Sequence, residues 1–193
     1  MPSFAGRWAL LGEQLAAHDD PMKVATNHLY AASPDVVFAA MTNPEVLVEK
    51  YQSLGHHDVK ILDHSVTGGV MSIRSRRGVP MDVPGFAKRF FSPINVVQQH
   101  DEWDPMGDDG VRRGTWQVVA RGVPVTVGGT LRMEAVPGGT TVEMNGEVHC
   151  SVPLVGGRIA EFVANDVLHT MRGEESFNDD YVAHRPKRRR GVA

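Results

Sequence analysis

The sequence predicts an α+β domain: a seven-stranded antiparallel sheet, two short helices after strand 1, and a long C-terminal helix covering one sheet face. Three observations carry this. Two helix openings written alike follow an early β-rich run. Six further β-rich runs, separated by turn residues, lie between positions 57 and 151. Last comes an apolar stripe at helical spacing between positions 156 and 182.

Residues 3–18 place Phe4, Trp8, Leu11 and Leu15 on one side of a predicted helix, and Asp19-Asp20-Pro21 ends it. Either this extension packs on the domain or on a second subunit, or the native start is Met22. Residues 22–30 (MKVATNHLY) are rich in β-branched and aromatic residues and predict the first strand. Ser33-Pro34-Asp35 and Asn43-Pro44-Glu45 then each supply a capping oxygen, a proline at the first helical position and an acid in the first turn. The first of these helices should bury Val37, Ala40 and Met41. The second should present Leu47, Tyr51 and Leu54 and end at Gly55.

Strands are predicted at 57–66, 69–77, 94–103, 111–121, 124–135 and 140–151, with Gly68-Gly69, Gly107-Asp108-Asp109-Gly110, Gly122 and Pro137-Gly138-Gly139 between them. Consecutive hairpins make an antiparallel meander the simplest arrangement. In the last strand Val142, Met144, Gly146, Val148 and Cys150 share one face, and Glu143, Asn145, Glu147 and His149 the other. Its neighbour sets Val125, Val127, Leu131 and Met133 against Thr126, Thr130, Arg132 and Glu134. A sheet with one wet face must cover the other. The helix at 156–182 does so with Ile159, Phe162, Val163, Val167 and Met171, while Gly173 weakens it by ~1 kcal/mol relative to alanine in an exposed helix interior.

With 193 residues, 41% hydrophobic and 22% charged, the chain can build one sizeable core. Its net charge of -3 gives no overall attraction to nucleic acid or an anionic membrane, so no specific nucleic-acid partner and at most transient membrane contact are expected. Cys150 is the sole cysteine, which rules out an internal disulfide and a cysteine zinc cluster and fits a reducing, cytoplasmic setting. The first residues lack the basic start of a secretory signal, and no apolar run reaches the ~18–20 residues of a membrane span. The expected organisation is an N-terminal helical extension at 1–21, the domain at 22–183 and a basic tail at 184–193.

The order of elements, together with Tyr30-Ala31-Ala32-Ser33-Pro34-Asp35, Val83-Pro84-Gly85-Phe86-Ala87, Glu102-Trp103, Gly122-Val123-Pro124-Val125 and Val152-Pro153-Leu154-Val155-Gly156-Gly157, resembles the START-like helix-grip superfamily, also called SRPBCC or polyketide-cyclase-like. Within it the chain resembles an actinobacterial domain-of-unknown-function family over residues 22–182. The resemblance implies a sheet curved around the C-terminal helix and a habit of binding hydrophobic molecules between the two. It implies no catalytic residues and no cofactor.

If the sheet curves in this way, Trp116, Val118, Leu131, Met133, Met144 and Val148 from the strands and Val163, Val167 and Met171 from the helix line a common space. Gly128, Gly129 and Gly146 either remove volume there or mark strand bends. The same residues would also fill an ordinary packed core. Residues 80–91, restricted by proline yet carrying Phe86, Phe90 and Phe91, predict a loop and short helix across one end. This is either a fixed plug or a moving lid, with Phe86, Lys88, Arg89 and Phe90 at the entrance and the two cations placed for an anionic headgroup.

No phosphate-cradling loop, nucleophile elbow or dinucleotide fingerprint is present. His56, Asp58 and His64 share a face of an ideal strand, but ~3.3 Å per residue sets the histidines too far apart for one ion, and no metal is expected. Asp101 and Glu102 point to opposite faces and cannot act together. Arg74, Arg76 or Arg113 turned inward could hold a carboxylate or polarise a carbonyl. The run Arg185-Pro186-Lys187-Arg188-Arg189-Arg190 is either a solvated tail or a weak attachment to anionic lipid or RNA.

These observations favour non-catalytic binding or transport of a hydrophobic small molecule, lipid or polyketide-like. The alternative is a cyclase-like or aromatase-like enzyme using the same cavity. A protein-binding module would need an exposed apolar patch. Oligomeric state is left open.

Overall fold

The computed structural model describes residues 21–184; the helix expected at 3–18 and the basic run at 185–190 lie outside them. The chain runs through β1 (Met22–Tyr30), α1 (Pro34–Thr42), α2 (Pro44–Ser53), β2 (His57–Thr67), β3 (Val70–Pro80), β4 (Ile94–Trp103), β5 (Val111–Ala120), β6 (Val125–Val136), β7 (Gly139–Cys150) and α3 (Gly156–His184). Consecutive strands β2 to β7 form a meander, joined by short connections except for residues 81–93 between β3 and β4, and β1 pairs with its last member, giving the order β1-β7-β6-β5-β4-β3-β2. Every neighbouring pair is antiparallel. The fold is therefore the seven-stranded α+β arrangement that the alternating patterns predict.

The two helix openings work differently. Asn43 accepts from the amides of Glu45 (2.9 Å) and Val46 (3.2 Å), a full side-chain cap. Ser33 makes no such bond. Its backbone carbonyl receives Val36 and Val37 at 3.0 and 3.1 Å instead, and Pro34 has no amide to satisfy, so the expected hydroxyl cap is unnecessary. Val37 and Ala40 are buried as expected, with Thr42 closing the turn through its hydroxyl on Phe38 carbonyl oxygen at 2.7 Å. Leu47 and Tyr51 are buried in α2.

One face of the sheet holds the core, and α3 crosses it. Val24, Val127, Leu131, Met133, Val142 and Val148 from the sheet meet Ile159, Ala160, Val163 and Met171 from α3 in one buried cluster. Full burial of such side chains stabilises the fold by ~1.5–3 kcal/mol each. Two glycines are set by contact. A Cβ on Gly146 would lie 2.5 Å from the Trp116 ring, and one on Gly173 would lie 2.7 Å from Leu54 Cδ2. Gly173 thus lets α3 approach the end of α2, and its low helix propensity is offset by that packing.

Candidate functional site

Between the sheet and α3 lies a cavity of about 110 Å³ with a mostly apolar wall. The pleat and the helical repeat create it together: Trp116 and Val118 come from β5, Val125 and Val127 from β6, Met144 from β7, and Val163, Val167 and Met171 from α3. Of the nine residues expected on this wall, Trp116, Val118, Met144, Val163, Val167 and Met171 are there. Leu131, Met133 and Val148 are elsewhere in the core, at 4%, 0% and 0% exposure. Alternation chose the right face for them but says nothing about position along it. Gly128, Gly129 and Gly146 do not line this cavity. Gly146 makes room for Trp116, and a Cβ on Gly129 would strike the Asn145 carbonyl oxygen at 1.9 Å.

The wall also carries polar residues that hydrophobic patterning passes over. Asp166, Thr170 and Glu174 follow Val163, Val167 and Met171 by three residues each, which puts them on the same side of α3. Asn95 and Gln99 join them from β4. The alternation that sends Val97 and Trp103 inward also sends Gln99 and Asp101 inward. On β3, Ile73, Ser75 and Arg77 are buried in alternation, so the inward arginine is Arg77. Arg74 and Arg113 are exposed, Arg76 sits on the outward phase beside Arg74, and Arg113 pairs with Asp109 at 2.7 Å.

Behind this wall the polar groups form a connected, mostly buried cluster. Arg77 donates to His56 Nδ1 (3.2 Å), Ser75 Oγ (3.2 Å) and Gln99 Oε1 (2.7 Å), and its guanidinium lies over the Tyr51 ring at 3.9 Å. Gln99 donates to both oxygens of Asp101 at 3.0 Å, and Tyr51 donates to Gln99 at 3.4 Å. Lys50, 2% exposed, pairs with Glu174 at 3.0 Å.

The titrations follow from these contacts. Burial raises the Glu174 carboxyl, but the Lys50 ammonium and the Arg77 guanidinium outweigh it and hold it below the ordinary value. Burial pushes Asp101 up to about 6, partly countered by the Gln99 hydrogen bond. Burial, then Arg77, push the His56 imidazole down to about 4. Burial also raises Asp166, offset in part by His169, and its carboxyl makes no side-chain hydrogen bond among the described residues.

Residues 80–91 cross one end of the cavity. Met81 and Phe91 enter its wall. A single turn, Phe90 and Phe91 amides on the Ala87 carbonyl at 2.9 and 3.1 Å, buries Ala87 completely. Phe91 meets Phe162 edge-on at 5.8 Å, and Arg158 covers Phe86 at 4.3 Å, so the segment rests on the first turns of α3. Lys88 and Arg89 are exposed and Phe86 and Phe90 half-buried.

The ideal-strand face shared by His56, Asp58 and His64 does not exist. Register shifts interrupt β2 between His57 and Lys60 and again between Ile61 and Asp63. His56 precedes the strand and turns inward to Arg77, whereas Asp58 and His64 are exposed. Among the described residues no group of three His, Cys, Asp or Glu side chains comes together as a metal-ligand set, and no helix is long and apolar enough to cross a membrane.

A sheet of this order gripping a long terminal helix, with two short helices after its first strand, defines the START-like helix-grip fold. The chain belongs to the family described as Protein of unknown function (DUF2505), whose model matches residues 26–182. Solved structures agree on the fold. TTHA0849 from Thermus thermophilus is similar with a TM-score of 0.60 at 15% identity, covering 84% of this chain and 97% of that one. A STAR-related lipid transfer protein from Xanthomonas axonopodis gives 0.55 at 13%, covering 83% and 85%. Ara h 8.0201 gives 0.54 at 11%, covering 86% and 100%. No curated protein matches the chain significantly.

Proposed function

We propose that the chain binds a hydrophobic small molecule between the sheet and α3 without transforming it. The observation that carries this is the cavity of about 110 Å³ inside an otherwise packed core. Such a space leaves the wall atoms without contacts on one side. A bound apolar molecule restores those contacts. An apolar cavity of about 150 Å³ holds benzene, so a small ring or a short chain suits this space. Met81, Met144 and Met171 in the wall are unbranched and can shift to admit more. Similarity of fold to a lipid transfer protein supports this reading by analogy. In this account Phe86, Lys88, Arg89 and Phe90 belong to the entrance.

Native mass spectrometry after gentle purification tests it. The expected result is a small non-covalent mass excess, lost in a folded Val167→Phe variant whose ring fills the cavity. A bare mass together with no uptake of apolar probes would overturn it.

One observation favours a second, enzymatic reading: Asp166 faces the cavity with no side-chain hydrogen bond among the described residues, and burial raises its carboxyl. An enzyme carrying Asp166→Asn should accumulate unconverted substrate. A ligand mass that differs between wild type and Asp166→Asn supports catalysis; the same mass in both supports binding alone.

A further inference from the structure

The geometry points to a ligand with an apolar body and a hydrogen-bond donor, an amine or a hydroxyl, and against a carboxylate. This rests on the cavity being a binding site, and adds which end chemistry it accepts. The cavity wall includes Asp166, Thr170, Glu174, Asn95 and Gln99, and none of its residues is Lys, Arg or His. The polar groups of the wall are therefore acceptors, amides or a hydroxyl, with two carboxyls and no cation.

Most of that polarity is already committed. Glu174 is held by Lys50 at 3.0 Å. Gln99 accepts from Arg77 at 2.7 Å and donates to Asp101 at 3.0 Å. Asn95 accepts from the Ser92 amide at 3.0 Å and donates to the Ser92 carbonyl at 2.6 Å. Asp166 and Thr170 remain, one turn apart on α3, with no side-chain hydrogen bond among the described residues.

The cations nearest this space, Lys50 and Arg77, do not line the cavity and are engaged with groups behind its wall. Lys50 is bound to Glu174, and Nε, Nη1 and Nη2 of Arg77 donate to His56, Ser75 and Gln99. A carboxylate in the cavity would lie beside the half-buried Asp166 among mostly apolar walls, where like charges repel more strongly than in water. An amine or hydroxyl would instead donate to Asp166, a charge-assisted bond to a partly desolvated acceptor. The raised Asp166 carboxyl agrees: the group is short of donors, and a donor from the ligand would complete it.

Four probes of one shape separate these possibilities: toluene, benzyl alcohol, benzylamine and benzoate, titrated at pH 7 with intrinsic tryptophan fluorescence and calorimetry as readouts. The expected order places benzylamine and benzyl alcohol at least tenfold tighter than benzoate. Asp166→Asn should reduce benzylamine affinity about tenfold more than toluene affinity. The wild-type order stands as a test without any variant. Toluene binding with benzoate equal to or tighter than benzylamine overturns the donor requirement and leaves the cavity as a binding site. Failure of all four probes overturns both.

Discussion

The two ends of the space under the sheet are built on opposite principles. Toward β5, β6 and β7 the wall is Trp116, Val118, Val127 and Met144 facing Val163 and Val167, and volume is left over. Toward β3, β4 and α2 the same inner face carries Arg77, Gln99 and Asp101 against Lys50 and Glu174, and nearly every polar atom is matched. The difference shows where rigidity and accommodation reside. A buried hydrogen-bonded charge cluster tolerates few arrangements, while an apolar wall rich in methionine tolerates many. The polar end ties α3 to α2 through Lys50 and Glu174 and β3 to β4 through Arg77 and Gln99; the apolar end can adapt to a guest.

The largest effect should come from breaking the polar end. Lys50→Met leaves Glu174 without its cation and is expected to cost about 3–5 kcal/mol in urea unfolding, whereas Lys50→Met combined with Glu174→Leu should recover most of it. Equal losses in the single and double variants would mean the pair does not hold that end.

Asp101 sharpens the contrast through pH. Its folded value of about 6 exceeds its ordinary 3.8, so between pH ~4 and ~6 the folded protein binds more protons there and this group makes stability fall as pH rises. His56 acts oppositely: lowered from 6.5 to about 4, it makes stability rise with pH over much the same window. The Glu174 contribution, held low by Lys50, also rises with pH. In the difference between Asp101→Asn and wild type, the His56 contribution cancels, and that of Glu174 does so except for its repulsion with Asp101. The variant should be more stable by about 2–3 kcal/mol at pH 7, with the gain vanishing near pH 4. Thermal melts across that range check the sign.

At the apolar end, two valines measure the space. Val148, fully buried away from the cavity, should lose about 2 kcal/mol as alanine, and Val118, on the cavity wall with fewer contacts to lose, about 1 kcal/mol. Equal costs would mean that Val118 is as tightly packed as the rest of the core. The smallest effect lies just before α3. Leu154 is wholly exposed at a φ of 68°, so it carries left-handed strain without burial, and Leu154→Gly should stabilise by about 0.5–1 kcal/mol.

Much of the fold was legible because period and punctuation agree. The fourth strand was expected at 94–103 and runs Ile94–Trp103; the terminal helix was expected at 156–182 and runs Gly156–His184. The polar wall was missed for a physical reason. A pattern search treats charge as a mark of the wet face, yet the phase set by Ile73 places Arg77 inward, and the phase set by Val97 does the same for Gln99 and Asp101. The signal was present in the alternation and was masked by polarity. Distance along the sheet is different in kind: nothing in the alternation of β6 and β7 separates Met144, on the cavity wall, from Val148 and Leu131, which are off it. That depends on how Trp116 lies over Gly146, a contact between distant parts of the chain.

The most direct measurement is a calorimetric titration with toluene of the wild type and of folded Val167→Phe. Saturable binding at one site with a negative heat-capacity change, abolished in the variant, is the expected result. No saturable heat in the wild type, or the same binding in Val167→Phe, would contradict a ligand site between the sheet and α3.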